Sequence, residues 1–373
     1  MNATLLGCAL LVAAGASAAS PATNQQVDSA AALMFAATGA PGMVIAVVRD
    51  DSVIVRGYGE SAAGSGRKPD GNSLLRINST SKVLAAEAMV MLADEGKLRL
   101  SDPLQRYAEP GFKVPELSKH RPITLLSLAT HTSGLARATD VAAPPHAAPN
   151  TWPDRAGRWG WLARQQPRTA PGEAALYSNV GFDLLADALA AAAGQPYTEL
   201  LRERVTAPLG MHDTTATPNA GQCARLLGGA ADGPTGPCSD TSATAGTAGM
   251  YSTANDMATW MQHLLGVRQA MPHALKAIAQ AAYVQRQELA SIEGLDQAGP
   301  ASGMGLGWVH LAASAKAPGM LQKTGGGGGF MNYMVLVPGR KVGIFVAVTK
   351  ADRPMAAEMA RSANELAAAL APQ

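Results

Sequence analysis

Residues 78–82, Asn78-Ser79-Thr80-Ser81-Lys82, are followed by an apolar run from Val83 to Leu92. The run predicts a helix that opens at the serine and stops near Gly96. Side chains three apart share one face of a helix, so Ser79 and Lys82 are expected to point into the same space. A serine and a lysine at that spacing supply a nucleophile and its proton acceptor. The alternative is that Ser79 only caps the helix and Lys82 is solvated.

A second polar stretch, Tyr177-Ser178-Asn179, lies just before a helical pattern from Phe182 to Ala193. In an extended or turning segment, Tyr177 and Asn179 face the same side. A tyrosine can relay a proton if cationic neighbours lower its pKa, and an asparagine offers a donor and an acceptor. The alternative is that Asn179 caps the helix and Tyr177 only packs.

A third stretch, Lys323-Thr324-Gly325, continues as glycine from Gly326 to Gly329 and precedes two strongly predicted strands. Five glycines are compatible with a flexible linker. A phosphate-binding loop requires its lysine after the glycines, and here the lysine precedes them. Glycine in a strand indicates close approach of another backbone or a ligand. We therefore expect an edge strand beside Ser79, with the backbone N–H groups of Ser79 and Gly326 as oxyanion donors.

The composition of the 373-residue chain is that of a globular protein, with 47% hydrophobic and 16% charged residues. The formal net charge is +2, and the chain contains no block of lysine and arginine, which argues against nucleic-acid binding. The seven histidines show no paired metal-ligand spacing, so we expect no metal.

The N-terminus resembles a secretory signal peptide. Residues 1–20 carry no charged side chain, Leu5 to Ala14 is apolar, and Ala16-Ser17-Ala18 has the small-x-small pattern of a cleavage site. We expect a signal peptide at residues 1–19 and export to the periplasm. A lipoprotein-like Leu5-Leu6-Gly7-Cys8 lies too near Met1 to follow an apolar segment. No other stretch approaches the roughly 20 apolar residues that a membrane span needs.

Two cysteines, Cys223 and Cys238, remain after the predicted signal peptide. The segment between them is rich in glycine and proline. An even number of cysteines in an exported chain favours a disulfide that closes this loop, with two separate buried thiols as the alternative.

The order of predicted elements indicates an α+β fold. Strands are predicted at 42–48 and 53–58 near the start, and at 307–311, 333–337 and 342–348 near the end. Helices are predicted between them, including 268–290, with a short helix at 30–37 before the first strand and a last helix at 354–370. The economical arrangement is a central antiparallel sheet built from the N- and C-terminal segments, with flanking helices and a mainly helical lobe.

One catalytic domain is expected over residues 20–373. Its sheet lobe would take about 25–110 and 300–373, and its helical lobe about 111–299. A ligand site is expected in the cleft between the lobes. Prolines and tryptophans crowd residues 136–171, which predicts a surface excursion whose tryptophans either line a cleft or fix the loop to the core.

Together, the three stretches resemble the S-x-x-K, Y-x-N and K-T-G motifs of the serine β-lactamase and penicillin-binding protein superfamily, class C type. The likeness extends over roughly 35–370, including His131-Thr132-Ser133-Gly134. Within the superfamily, Tyr177–Ala190 and Gln322–Phe330 are most similar to D-alanyl-D-alanine carboxypeptidase/endopeptidases of the AmpH type. The Cys223/Cys238 pair also fits that type.

The resemblance implies a periplasmic enzyme that cleaves D-Ala-D-Ala and D-Ala-diaminopimelate bonds of peptidoglycan stems and binds penicillins covalently, without a cofactor. Ser79 would be the nucleophile, and Lys82 and Tyr177 would share its proton. Asn179 and Lys323 would hold the network. Asn179, Lys323, Thr324 and Gly325 would bind the substrate, and Lys323 with Thr324 would receive its carboxylate. Peripheral contact with the membrane is compatible with this function.

Three other functions are compatible with parts of the pattern. A class C-type β-lactamase shares the acylation step, although Lys350-Ala351-Asp352-Arg353 lacks the asparagine-bearing stretch of dedicated class C enzymes. A carboxylesterase of the same fold often carries another residue where Lys323 stands. A noncatalytic sensor of peptidoglycan or β-lactams would not need Ser79, Lys82, Tyr177 and Lys323 intact.

Overall fold

The computed structural model describes residues 19–117, 120–228, 236–268, 271–296, 298–350 and 353–371. The expected signal peptide falls almost wholly on residues 1–18, outside the described residues. The strands are β1 Gly42–Arg49, β2 Ser52–Gly59, β3 Leu74–Arg76, β4 Ala175–Leu176, β5 Tyr251–Thr253, β6 Val284–Gln285, β7 Ile292–Glu293, β8 Gly303–Met304, β9 Val309–Leu311, β10 Met320–Gly327, β11 Phe330–Val337 and β12 Val342–Val348.

The α-helices are α1 Pro21–Thr38, α2 Ser81–Asp94, α3 Leu125–Ala129, α4 Arg155–Leu162, α5 Asn179–Ala193, α6 Tyr197–Leu201, α7 Ala207–Leu209, α8 Ala220–Cys223, α9 Ala254–Leu264, α10 His273–Gln280 and α11 Arg353–Leu370. Short 3₁₀ turns lie at Asn78–Thr80, Leu104–Tyr107, Ser242–Thr244, Arg286–Glu288 and Pro338–Arg340, and a π-helical turn lies at Arg202–Thr206.

The central sheet joins the two ends of the chain. Its strand order is β2-β1-β12-β11-β10-β9-β8-β6, and each neighbouring pair is antiparallel. Met43 in β1 pairs with Val348 in β12. This confirms the predicted α+β architecture, in which N- and C-terminal segments form one sheet.

Strand β1 shows why the sheet is covered on both faces. Val44, Ala46 and Val48 lie in the larger core, which includes α2, α5 and α9. The alternate residues of β1, Met43, Ile45 and Val47, lie in a second core with α1 and α11. Side chains alternate across a strand, so a continuously apolar strand needs apolar partners on both sides.

Two helices differ most from their predicted bounds. Helix α1 begins at Pro21, where Ser20 caps it, and not at residue 30, because its polar first half gives no apolar pattern. The helix predicted over 268–290 is limited to α10, because the chain becomes extended at Ala281 and Tyr283 donates to the carbonyl of Met304.

The helical segments cover the sheet where the site lies. Helix α2 follows the Asn78–Thr80 turn directly, and it packs against α5 and α10.

In the excursion at 136–171, Trp159 and Trp161 are buried in the core. These tryptophans therefore anchor the excursion to the core.

Candidate active site

Ser79 lies in the 3₁₀ turn before α2, not within the helix itself. Asn78 has a left-handed backbone with φ 45°, and its side chain donates to the carbonyl of Gly327 at 3.1 Å. Thr80 donates to Oδ1 of Asn332 at 2.8 Å, and Asn332 is fully buried in β11. The two central strands β10 and β11 therefore fix the position of the serine.

Lys82 is fully buried one turn after the serine. Its Nζ lies 3.1 Å from Oγ of Ser79, 3.0 Å from Oδ1 of Asn179 and 2.8 Å from the carbonyl oxygen of Thr247. A buried ammonium group requires such partners. Each of the three N–H groups of the ammonium therefore has an acceptor, and one of these acceptors is the Ser79 hydroxyl.

Burial holds the pKa of Lys82 down at about 8, and the nearby charge of Lys323 acts in the same direction. Tyr177 and Asp183 oppose this shift. A lysine with a pKa near neutrality is able to accept a proton from a serine hydroxyl at physiological pH.

Tyr177 lies between two lysines. The Nζ atoms of Lys82 and Lys323 are 5.0 and 4.9 Å from its ring centroid, and Lys323 Nζ is 3.4 Å from the phenolic oxygen. Burial acts to raise the pKa of the phenol. The positive charges of Lys323 and Lys82, together with the nearby Ser79 hydroxyl, outweigh burial and bring that pKa down to about 7. Tyr177 is thus a second base next to the serine.

Asn179 is the first residue of α5, and Ser178 is the residue that caps this helix by accepting from the N–H of Gly181. The side chain of Asn179 therefore stays free of the helix end. Its Oδ1 accepts from Lys82 and, at 3.2 Å, from the hydroxyl of Thr247. The structure thus places Asn179 in the lysine network, as the sequence predicted.

Strand β10 forms the opposite wall. Strand β9 pairs with Met320–Gln322 only, so β10 has a free edge from Lys323 onward among the described residues. Thr324 and Gly326 on this segment line the same cavity as Ser79. A free strand edge can pair with an extended substrate backbone.

Gly325 occupies a packing position. A Cβ atom here would lie 2.6 Å from the carbonyl oxygen of Ile77 and 2.4 Å from Oδ1 of Asn332. Any larger residue would push β10 away from the turn that carries Ser79. Gly325 therefore allows β10 to lie close to the turn that carries Ser79.

The cavity between these walls has a volume of about 390 Å³. It contains Ser79, Tyr177, Lys323, Thr324 and Gly326 together with Arg137, Gly294, Leu295, Val309, Gln322, Gly327, Met331, Ala356 and Ala357. Larger hollows occur elsewhere, but this one is lined by the serine and by Tyr177, whose pKa is lowered.

Several contributors escaped the sequence analysis. Thr247 acts through a backbone carbonyl, which has no sequence signature. Asp183 is buried, and its Oδ1 accepts from the N–H of Thr247 at 3.1 Å. An acid four residues after Asn179, on the same face of a mostly apolar helix, was the available signal. His131 stacks on Tyr177 with centroids 4.4 Å apart, and Arg137 had no signal.

Cys223 and Cys238 are joined by a disulfide with a Cα–Cα distance of 5.7 Å. Arg76 donates to the carbonyl of Pro237 at 2.5 Å, next to Cys238. The closed loop thereby contacts β3, the strand that leads into the Ser79 turn.

In the described ranges, no group of three or more histidine, cysteine, aspartate or glutamate residues is placed to hold a metal ion. Across the same residues, no helix has the length and apolar character to cross a membrane.

The antiparallel sheet and the cluster of serine, two lysines and tyrosine define an enzyme class that transfers acyl groups to a serine. The Beta-lactamase family model matches residues 27–369, and the chain belongs to that family.

Relatives agree with this assignment. The D-alanyl-D-alanine-carboxypeptidase/endopeptidase AmpH of Escherichia coli K12 is 41% identical over 374 residues, covering 98% of this chain and 96% of that protein. A β-lactamase of Yersinia enterocolitica is 27% identical over 346 residues, covering 84% and 83%. The crystal structure of a β-lactamase/D-alanine carboxypeptidase from Yersinia pestis, complexed with citrate, has a TM-score of 0.88 at 45% identity and covers 94% of this chain and 99% of that one. The resemblance found in the sequence is confirmed.

Proposed function

We propose that the chain is a serine DD-carboxypeptidase and DD-endopeptidase, which hydrolyses D-Ala-D-Ala and D-Ala-diaminopimelate bonds of peptidoglycan and binds penicillins covalently. The observation that carries the proposal is the hydrogen bond from Lys82 to Ser79, next to Tyr177. The ring of this tyrosine has Lys82 and Lys323 within about 5 Å of its centroid. The 41% identity with AmpH over nearly the whole of both chains supports this substrate class.

In acylation, Oγ of Ser79 attacks the carbonyl carbon of the penultimate D-Ala. Lys82 and Tyr177 share the proton removed from Oγ, and Tyr177 passes it to the leaving nitrogen as the C–N bond breaks. The pKa values of about 8 and about 7 suit this exchange, because either group accepts and releases a proton near neutral pH.

In deacylation, the same bases take a proton from water as it attacks the ester carbonyl. That proton returns to Oγ of Ser79 when the acyl–oxygen bond breaks, and the enzyme is restored without a cofactor. The backbone N–H groups of Ser79 and Gly326 hold the oxyanion in both steps.

The substrate backbone would lie along the free edge of β10. Lys323 and Thr324 receive the carboxylate next to the scissile amide, and Asn179 holds the amine of Lys82 in position. Gly325 supports the site because its lack of a side chain lets β10 lie close to Ile77 and Asn332. A charged lysine and a hydroxyl are suitable partners for a carboxylate.

Peptidoglycan stems are found in the periplasm, and the signal-peptide pattern at residues 1–19 agrees with that location. β-Lactams would enter as covalent ligands of Ser79. The similarity to enzymes named β-lactamase makes slow hydrolysis of these ligands a second candidate activity.

Covalent labelling by a fluorescent penicillin tests the nucleophile. Ser79→Ala should abolish labelling while the thermal unfolding curve remains that of a folded protein. Label that persists in Ser79→Ala would mean that another residue is the nucleophile.

Three substrates offered side by side test the activity. We expect D-Ala release from pentapeptide muropeptides, and little turnover of a chromogenic cephalosporin or a short-chain ester. Fast cephalosporin hydrolysis without any muropeptide product would identify a β-lactamase instead.

A further inference from the structure

Arg137 is an exposed residue on the wall of the active-site cavity that the catalytic scheme does not use. Its guanidinium carbon lies 4.7 Å from the ring centroid of Tyr177, so it covers this ring as a cation over an aromatic face. Arginine in such a position retains its donors for another partner.

Gly294 creates the space that this guanidinium occupies. It has φ +76°, and a Cβ atom there would lie 3.3 Å from Nη1 of Arg137 and 3.2 Å from Cβ of Tyr177. A side chain at this position would crowd both residues. The absence of a side chain at Gly294 therefore leaves room for the Arg137 guanidinium to lie on the Tyr177 ring.

No carboxylate neutralises Arg137 in the part of the chain that the structure describes. The nearest acid in sequence to Gly294, Glu293, is paired with Arg168 at 3.1 Å. The described cavity wall carries the cations Lys323 and Arg137 and no acidic side chain. Its charge is suited to a ligand with more than one negative group.

The position of Tyr177 shows which part of a substrate lies near Arg137. Tyr177 returns its proton to the leaving nitrogen, so the leaving group must lie over this residue. The carboxylate next to that nitrogen is assigned to Lys323. Arg137 therefore faces whatever extends further along the leaving group.

The distance between the two cations limits the length of that extension. The Lys323 ammonium and the Arg137 guanidinium each lie within 5 Å of the Tyr177 ring centroid, so they are no more than about 10 Å apart. The two carboxyl carbons of an extended seven-carbon diacid are about 7 to 8 Å apart. A leaving group of that length can contact both cations at once.

We propose that Arg137 binds a second carboxylate on the leaving group and so selects leaving groups of diaminopimelate length. The inference rests on the proposed peptidase function. Free D-Ala has no second carboxylate. A diaminopimelate residue whose cross-linking amine is released exposes one when its stem ends at that residue. Arg137 thus favours the endopeptidase reaction on such stems over the release of D-Ala.

Three N-acylated dipeptides test the inference, with D-Ala in the first position and a different leaving residue in each. One leaving residue is D-2-aminopimelate, one is its amide at the far carboxyl group, and one is D-Ala. We expect kcat/KM for the acid to exceed that for the matched amide by about tenfold, mainly through KM, because a charge-assisted pair is lost. The ratio should fall in 0.5 M NaCl.

Variants identify the residue responsible. Arg137→Gln should reduce the acid-to-amide ratio to about one, and Arg137→Lys should retain part of it. Arg340→Gln, which removes an exposed arginine outside the cavity, should keep the full ratio. An acid-to-amide ratio near one in the unmodified enzyme, or an unchanged ratio in Arg137→Gln, would overturn the assignment.

Release of D-Ala from the third peptide distinguishes the role of Arg137 from the proposed peptidase function. Release of D-Ala without a preference for the acid refutes the role of Arg137 and leaves the peptidase intact. No release from any of the three peptides refutes the proposed function, and the role of Arg137 with it.

Discussion

Oδ1 of Asp183 accepts a hydrogen bond from the backbone N–H of Thr247 at 3.1 Å. The carbonyl oxygen of Thr247 in turn accepts from Nζ of Lys82 at 2.8 Å. A buried acid in α5 therefore holds the residue whose carbonyl orients the lysine. Burial is the main cause of its raised pKa of about 7, which Arg158 and Lys82 counteract and Asp187 reinforces.

Asp183→Asn should stabilise the protein at alkaline pH. The native carboxyl keeps its proton up to about pH 7, whereas the unfolded carboxyl loses it near pH 4, so the native state is penalised increasingly between these values and constantly above them. We expect the free energy of unfolding to rise by roughly 1–3 kcal/mol at pH 8 and to change little at pH 4. Denaturant unfolding at both pH values measures this.

Asp187→Asn is the matched control on the same helix. It disrupts the buried ion pair in which Arg158 contacts Asp187 at 2.7 and 2.8 Å, and it should destabilise the protein at both pH values. A loss of stability at pH 8 in Asp183→Asn would show that its carboxylate contributes more through contacts than it costs by burial.

Lys323→Gln should shift the pH dependence of acylation. The Tyr177 phenol must lose its proton to act as a base, so the rate of penicillin labelling should rise with pH around a midpoint near 7. Removal of the Lys323 charge raises the pKa of Tyr177, and the midpoint should move upward by about one unit.

The midpoint is a property of the coupled set of Lys82, Tyr177 and Lys323. Lys316→Gln removes an exposed lysine outside the active-site cavity and should leave the midpoint where it is. A midpoint that moves downward in Lys323→Gln would contradict the proposed electrostatics.

Gly325→Ala should damage the site through packing alone. The added methyl group would meet the Ile77 carbonyl and Asn332 well inside contact distance, so β10 and the serine turn must separate. We expect the second-order rate constant of penicillin labelling to fall by about a hundredfold and the free energy of unfolding to fall by about 1–3 kcal/mol.

Gly339→Ala is the comparison for this substitution, because nothing lies within 4 Å of a Cβ atom there. It should label at the normal rate. Normal labelling of Gly325→Ala as well would show that the strand tolerates displacement at the serine.

Reduction of the Cys223–Cys238 disulfide should lower stability. The two residues are 15 apart, and opening a loop of that size costs about 3 kcal/mol in the chain-entropy model. Urea unfolding with and without dithiothreitol measures the change, and mass spectrometry should record a gain of two hydrogens. The Cys223→Ser/Cys238→Ser variant should be insensitive to the reductant; free thiols in the untreated protein would exclude the bridge.

The sheet was predictable because its long strands carry strong local signals. Gly42–Arg49 and Val342–Val348 are apolar segments rich in β-branched residues and bounded by turns, and their apolar faces need partners wherever they lie in the sequence. The start of α1 was not predictable in the same way, because its first turns carry no apolar repeat. The helix contacts α11 through Val27, Ala31 and Met34, which lie further along it.

In the site, side chains with a distinctive chemistry were found, and those that act through the backbone were not. Ser79, Lys82, Tyr177, Asn179 and Lys323 meet as the sequence predicted. The carbonyl of Thr247 acts through a tertiary contact, which leaves no local pattern. The glycines of β10 indicated that another backbone or a ligand comes close, but not that Ile77 and Asn332 are the neighbours of Gly325. Arg137 was not predicted, because nothing in the sequence around it distinguishes it from the other exposed arginines.

The union of the chain ends within one sheet also affects how the protein is made. Gly42 donates its N–H to the hydroxyl of Thr349, which is synthesised 307 residues later. The edge of the first hairpin that pairs with β12 therefore stays unpaired until β12 is available, and such long-range closure is slow. Strands β10 and β11, which hold the serine turn, also arrive late. The site therefore assembles only after β10 and β11 have been made and have joined the sheet.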